Sequence, residues 1–232
     1  KIKGQIDKNT TIAILGSGAV GALAYTFTDS FWFSAVEGEV YAMSSLFTAT
    51  VFWAILKWDI AVDKYREKEE NDNTIPHPNR WIIFICYMIG LSIGVHLLNL
   101  LAIPAIAFVI YFKTYKFSWK SFFVAGITSL VVLVTIQNII IPKTVTVADW
   151  VERLFTNSFG LPFNSGAFFF IAALLILIVV GLRLTSKNGK SLWNTAIISF
   201  AVLMIGYSSF VMIMVRSNAN TCLLYTSDAA DD

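Results

Sequence analysis

The sequence predicts an all-α fold, a polytopic bundle of about seven transmembrane helices. Of its 232 residues, 56% are hydrophobic and 14% are charged, and the mean hydropathy is +0.68, whereas a soluble domain has about 25% charged residues. The apolar residues fall into runs that approach the roughly 20 residues needed to cross a bilayer. The net charge of +2 does not indicate a nucleic-acid partner, and we expect none.

The first two predicted spans cover residues 11–33 and 40–58, and the turn Glu37-Gly38-Glu39 separates them. Segment 59–80, which follows the second span, is the most charged of the chain and predicts a solvated loop. Three glycines of the first span are spaced for close contact with another helix: Gly16, Gly18 and Gly21.

The apolar stretch 81–112 is too long for one crossing. A straight helix of that length would measure about 48 Å, against a hydrocarbon core of about 30 Å. The stretch therefore predicts two short helices that turn near His96 and Asn99, with Pro104 early in the second helix.

Three further spans are predicted at residues 121–141, 167–182 and 192–214. In the connection 142–166, Thr146 and Asp149 resemble the start of a helix. The apolar residues that follow have the spacing of an amphipathic helix: Val147, Trp150, Val151, Leu154 and Phe155. We expect this short helix to lie in the membrane interface of an outer loop.

Basic residues set the expected orientation of the bundle. With the N-terminus inside, 14 of the 17 lysines and arginines fall in inner segments, and only Lys143, Arg153 and Arg216 fall in outer ones. This asymmetry follows the positive-inside rule. It predicts that Glu37, Glu39, His96, Asn99, Arg216 and the connection 142–166 lie at the outer face.

Glu37 and Glu39 are the first candidate functional residues, since carboxylates are costly beside hydrocarbon. Glu37, Tyr41, Ser44 and Thr48 have helical spacing and predict a polar stripe on the second span, with Glu37 at its outer end. The two acids either line a catalytic or ion-binding cleft or are solvated loop residues that cap the second helix.

His96, Asn99 and Arg216 are candidates for binding a phosphate or a hydroxyl group. Ser92, His96 and Asn99 have helical spacing, so they are expected on one face of a helix. The alternative for His96 and Asn99 is a set of hydrogen bonds that closes the hairpin, and for Arg216 it is snorkelling at a helix end. Phe31, Trp32 and Phe33 are typical of an aromatic belt in contact with membrane lipid.

Three segments resemble a large bacterial membrane family, formerly a domain of unknown function and now grouped with glycosyltransferases related to protein O-mannosyltransferases. They are residues 28–42, which include Glu37-Gly38-Glu39-Val40-Tyr41, residues 90–101, which include His96-Leu97-Leu98-Asn99, and residues 215–220, which begin Val215-Arg216.

The resemblance implies a C-type glycosyltransferase fold in the bacterial inner membrane, with a polyprenyl-phosphate sugar donor and a periplasmic active site. The sugar would be mannose-like and the acceptor a protein hydroxyl or a glycan. Glu37 and Glu39 would act as catalytic base or hold a divalent metal. His96, Asn99, Arg216 and Tyr41 would bind substrate or phosphate.

The resemblance also implies an acidic motif before residue 1 and a soluble domain after Asn220, so we expect residues 1–221 to be a transmembrane region incomplete at both ends, and inactive alone. Residues 222–232 resemble translated sequencing adapter and are expected to be non-native. A membrane transporter or lipid flippase, or a non-catalytic scaffold, remains the alternative function. The absence of an internal repeat favours the enzyme over a transporter.

Overall fold

The structure, a computed structural model, describes residues 7–37, 40–67 and 77–210. Within these ranges the chain is helical apart from short turns and contains no strand, as predicted. The chain divides into two compact units, Lys1–Leu46 and Phe47–Asp232, and each is described by itself.

The first unit begins with two helices where the sequence predicted one span. Helix α1 covers Lys8–Thr26 and α2 covers Asp29–Val36, with a bend of 62° between them. At the bend the hydroxyl of Thr28 donates a hydrogen bond to the carbonyl of Tyr25 at 2.8 Å. The rings of Tyr25 and Phe31 meet across the bend at 4.6 Å. The predicted aromatic belt therefore lies on a separate short helix.

Helix α3 starts in the first unit and runs into the second, where six further helices follow. Their bounds are α3 Val40–Glu67, α4 Asn79–Ile93, α5 Ala102–Thr114, α6 Trp119–Thr135, α7 Ile141–Arg153, α8 Ser165–Lys187 and α9 Ser191–Tyr207. A 3₁₀ turn, Leu97–Leu101, precedes α5. Two π turns, Ile136–Ile140 and Leu154–Ser158, precede and follow α7.

The predicted hairpin in residues 81–112 is confirmed. Helix α4 ends at Ile93, and the chain turns before the 3₁₀ segment that leads into α5. At the start of α4 the Trp81 ring packs edge-on against Trp53 of α3, with centroids 5.4 Å apart. At the end of α5 the ammonium of Lys113 lies 2.5 Å from a carboxylate oxygen of Asp59. Each arm therefore contacts α3 at its end distant from the turn.

The prediction that residues 142–166 form a loop is wrong, because a continuous helix runs from Trp119 to Ser158. Pro142 lacks the N–H that would bond the carbonyl of Asn138, four residues earlier, and the π turn lies at that point. Thr146 donates its hydroxyl hydrogen to the carbonyl of Pro142 at 2.8 Å and so lies inside a helix rather than capping one. The amphipathic helix exists as α7, but it is continuous with α6.

Seven crossings were predicted, and the structure supports four or five of them by length and composition. Four helical segments in the described ranges are long and apolar enough to cross a membrane, and the bent pair α1–α2 makes a fifth if it counts as one span. The apolar helices α4 and α9, at 15 and 17 residues, are shorter.

The core of the second unit lies between α3, α4, α9 and the end of α6. Its buried apolar side chains include Val51, Ala54, Ile55, Ile85, Ile89, Leu100, Leu133 and Leu203. Helices α4 and α9 run parallel, and their backbones are in direct contact at two glycines. A Cβ on Gly90 would collide with the carbonyl oxygen of Leu203, and one on Gly206 would lie 2.6 Å from the carbonyl oxygen of Tyr87.

Three charged connections meet at one end of the second unit, which we call the basic end. The Arg66 guanidinium donates to the carbonyl of Lys113 at 3.3 Å, and the Asn79 amide donates to Thr195 at 3.0 Å. The described parts of connections 59–80 and 113–120 therefore lie together, next to the start of α9, which directly follows connection 183–190.

Candidate functional site

The turn between α4 and α5 brings together two of the predicted site residues, His96 and Asn99. Asn99 is buried, at 7% exposure. Its side-chain oxygen accepts a hydrogen bond from the hydroxyl of Thr48 on α3 at 2.8 Å. Thr48 belongs to the polar stripe predicted on the second span, so the sequence had identified both partners without pairing them.

His96 caps the 3₁₀ turn. Its Nδ1 accepts a hydrogen bond from the backbone N–H of Leu98 at 3.0 Å. A ring nitrogen that accepts has no proton, so the neutral imidazole has its proton on Nε2. The half-buried ring thus combines a structural role on one nitrogen with a donor on the other.

Ser92 does not join this turn through its side chain. It is 1% exposed, and its hydroxyl donates to the carbonyl of Ile89 at 2.7 Å, within its own helix. Helix α4 ends one residue later, at Ile93. The helical spacing that linked Ser92 to His96 and Asn99 therefore does not apply.

Glu37 lies in the first unit, directly after α2. Its backbone N–H donates to the carbonyl of Phe33 at 3.0 Å, and its side chain is exposed. Helix α3 begins at Val40, so Glu37 precedes α3 and does not extend its polar stripe. The other two residues of the predicted turn, Gly38 and Glu39, lie outside the described residues. Tyr41, the second residue of α3, is 54% exposed.

Two predicted site residues, Glu39 and Arg216, lie outside the described residues. The predicted placement of Glu37 and Glu39 in one cleft, and the predicted phosphate-binding role of Arg216, stay predictions.

The described ranges contain no group of three His, Cys, Asp or Glu side chains that could hold a metal ion. Glu37 supplies one carboxylate, whereas magnesium and calcium require about six oxygen ligands in all. These residues alone do not fit a divalent cation, and no chemical step is assigned to one.

One acid with a defined role was missed by the sequence. The carboxylate of Glu152 accepts the backbone N–H of Asn164 at 2.6 Å and that of Ala167 at 2.8 Å. These donors belong to the start of α8, where backbone N–H groups have no intrahelical partner. Gly166 permits the contact, because a Cβ there would lie 2.5 Å from the Cα of Glu152. The role of Glu152 is structural.

An all-helical chain with several apolar helices of membrane-crossing length, and polar side chains gathered in the breaks between helices, is an integral membrane protein of the polytopic class. Residues 1–119 match the family model described as the Protein O-mannosyl-transferase TMEM260 N-terminal domain. The match covers just over half of the 232 residues, and the chain belongs to this family. No curated protein and no solved structure matches the chain.

The family match confirms the predicted relation to protein O-mannosyltransferases. It includes five of the six predicted site residues, namely Glu37, Glu39, Tyr41, His96 and Asn99. Arg216 and helices α6 to α9, apart from the first residue of α6, lie beyond it.

Proposed function

We propose that this chain forms part of a membrane glycosyltransferase that moves a mannose-type sugar from a polyprenyl-phosphate donor to a protein hydroxyl or another acceptor. The observation that supports this most directly is the match of residues 1–119 to a domain of a protein O-mannosyltransferase. The donor, the acceptor and the reaction face are our extension of that match.

In this proposal Glu37 or Glu39 is the catalytic base. The carboxylate removes the proton of the acceptor hydroxyl while the hydroxyl oxygen attacks the anomeric carbon of the sugar. The bond between that carbon and the phosphate oxygen breaks, and polyprenyl phosphate leaves with the electron pair. The exposed position of Glu37 in a break between two helices is consistent with this role.

The leaving phosphate needs donors that stabilise its developing charge. The Nε2–H of His96 is suited to this, since the bond from Leu98 fixes its tautomer. Asn99 holds the turn through Thr48 and thereby positions His96. Arg216 and Tyr41 complete the proposed phosphate-binding set.

We place the reaction at the periplasmic face of a bacterial inner membrane. The basic end of the second unit faces the cytoplasm in this orientation, in accordance with the positive-inside rule. The turn with His96 and Asn99 then faces outward, because it lies at the opposite end of the α4–α5 hairpin.

The test is mannose transfer from polyprenyl-phosphate mannose to an acceptor peptide by the complete protein. Loss of the base in Glu37→Gln should lower the rate by about 10²-fold or more. The matched control is Glu67→Gln, at the other end of α3, which should retain the wild-type rate. Full activity in Glu37→Gln excludes Glu37 as the base, and movement of intact donor without a glycosylated product supports a flippase instead.

A further inference from the structure

A narrow apolar groove of about 570 Å³ lies in the second unit between α4, α5, α6 and α9. Its walls include Ile85, Ile89, Ile106, Ala125, Val132 and Leu203. It extends along α6 from Ser121 to Ile136, a helical rise of about 22 Å. No sequence pattern indicated this groove, because its walls come from four separate helices.

The apolar walls of the groove limit what can fill it. An extended peptide would leave its backbone polar groups unpaired against them. A single hydrocarbon chain has no polar groups that need a partner, and the length of about 22 Å and the volume of about 570 Å³ suit such a chain.

The two ends of the groove differ in polarity. One end is formed by apolar residues such as Ile103, Ile136 and Leu203. At the other end the Tyr111 hydroxyl lies 2.6 Å from that of Ser121, and Tyr115 completes the lining. The groove therefore has a polar mouth, and that mouth lies at the basic end.

Aromatic rings surround the mouth at the level where α5 passes into α6. Phe108 stacks on Phe122 at 5.0 Å, and Phe117 meets Trp119 edge-on at 5.4 Å. Aromatic clusters of this kind are typical of the membrane–water interface. The mouth is thus expected at the depth of lipid headgroups.

Positive charge beside the mouth is available to a ligand. Lys116 and Lys120 directly adjoin the lining residues Tyr115 and Ser121, and both are exposed. Neither forms an ion pair with any residue that the structure describes. Lys113 differs, because its ammonium is neutralised by carboxylates of α3.

We propose that this groove binds one acyl chain of an anionic phospholipid whose phosphate is held by Lys116 and Lys120. A basic pocket between transmembrane helices is a recognised form of anionic lipid site. The sugar donor is a different ligand, because its phosphate is proposed to lie at the opposite end of the hairpin, near His96. The inference does not rest on the proposed function.

The test uses the chain reconstituted in phosphatidylcholine vesicles that contain phosphatidylglycerol with a diazirine on one acyl chain. Illumination should label peptides from α5 and α6. Ala125→Trp fills the groove and should abolish this labelling. Ile127→Trp is the matched control, since Ile127 is 61% exposed on the same helix and does not line the groove. If Ala125→Trp loses the thermal unfolding transition, Ala125→Leu replaces it with the same expected direction.

The headgroup is tested separately with Lys116→Gln and Lys120→Gln. The preference for labelled phosphatidylglycerol over labelled phosphatidylcholine should fall about fivefold for each lysine removed. Lys187→Gln with Lys190→Gln, at the same basic end, should leave the preference unchanged. Equal labelling of Ala125→Trp and Ile127→Trp, equal labelling by the two lipids, or displacement of the probe by polyprenyl phosphate would each overturn the proposal.

Discussion

The hydroxyl of Thr48 donates a 2.8 Å hydrogen bond to the side-chain oxygen of Asn99, 51 residues later in the chain. This bond fastens α3 to the turn between α4 and α5. It therefore fixes the position of His96, three residues before Asn99.

Thr48→Val tests this bond, because valine keeps the shape of threonine and removes the donor. We expect the free energy of unfolding to fall by about 1–2 kcal/mol, as for a polar contact in a membrane protein. Thermal unfolding in detergent measures the change. Thr146→Val is the control, since Thr146 bonds only within its own exposed helix and should shift the transition little.

Gly90→Ala and Gly206→Ala should each separate α4 from α9. The new methyl group meets the partner's backbone, which cannot rotate away, so the expected loss is about 1–3 kcal/mol or more. Gly126→Ala is the matched control, because a Cβ there would lie 3.4 Å from a ring carbon of Phe108. Equal melting temperatures for all three variants would contradict the close packing of α4 on α9.

Glu152→Ala should release the start of α8. It removes two charge-assisted hydrogen bonds, and we expect a cost of about 2–4 kcal/mol together with faster hydrogen exchange at the amides of Asn164 and Ala167. Asp149→Ala removes an acid of the same helix whose ion pair with Arg153 is exposed, so its cost should stay within about 0.5 kcal/mol. Unchanged exchange in Glu152→Ala would show that the contact does not hold α8.

Lys113→Met should weaken the attachment of α5 to α3. The ammonium is 2.5 Å from Asp59 and 2.8 Å from Asp63, and its side chain is only 12% exposed. Its removal leaves two carboxylates facing each other, with an expected loss of about 1–3 kcal/mol. Lys64→Met, at an exposed position of α3, is the control for charge alone. Restoration of stability by a further Asp63→Asn change would confirm the cause.

The sequence predicted the α4–α5 hairpin correctly because the apolar stretch is longer than a bilayer is thick. It failed at Pro142, since proline and nearby polar residues indicate a loop unless a π turn is known to lie before them. It also missed the bend after Thr26, where a hydrogen bond from Thr28 ends the first helix. These local backbone events leave no periodic trace.

Contacts between distant helices were the least predictable. The spacing of Gly16, Gly18 and Gly21 predicted close packing, yet within the first unit no atom of another helix would lie within 4 Å of a Cβ at any of them. Gly90 and Gly206 do make such contacts, but the sequence of the helix that contains each glycine does not indicate which other helix it touches. The candidate residues of the α4–α5 turn could be found from the local sequence. The bond between Thr48 and Asn99 could not, because it joins two helices that are distant in the chain.

The unbroken helix from Trp119 to Ser158 is 40 residues long, a rise of about 60 Å. Each degree of tilt about its first residue moves its last residue by about 1 Å. Helices adjust their tilt to the thickness of the surrounding bilayer. A change of tilt therefore also shifts the beginning of α8, which Glu152 fastens to the far part of that helix, by about 1 Å per degree.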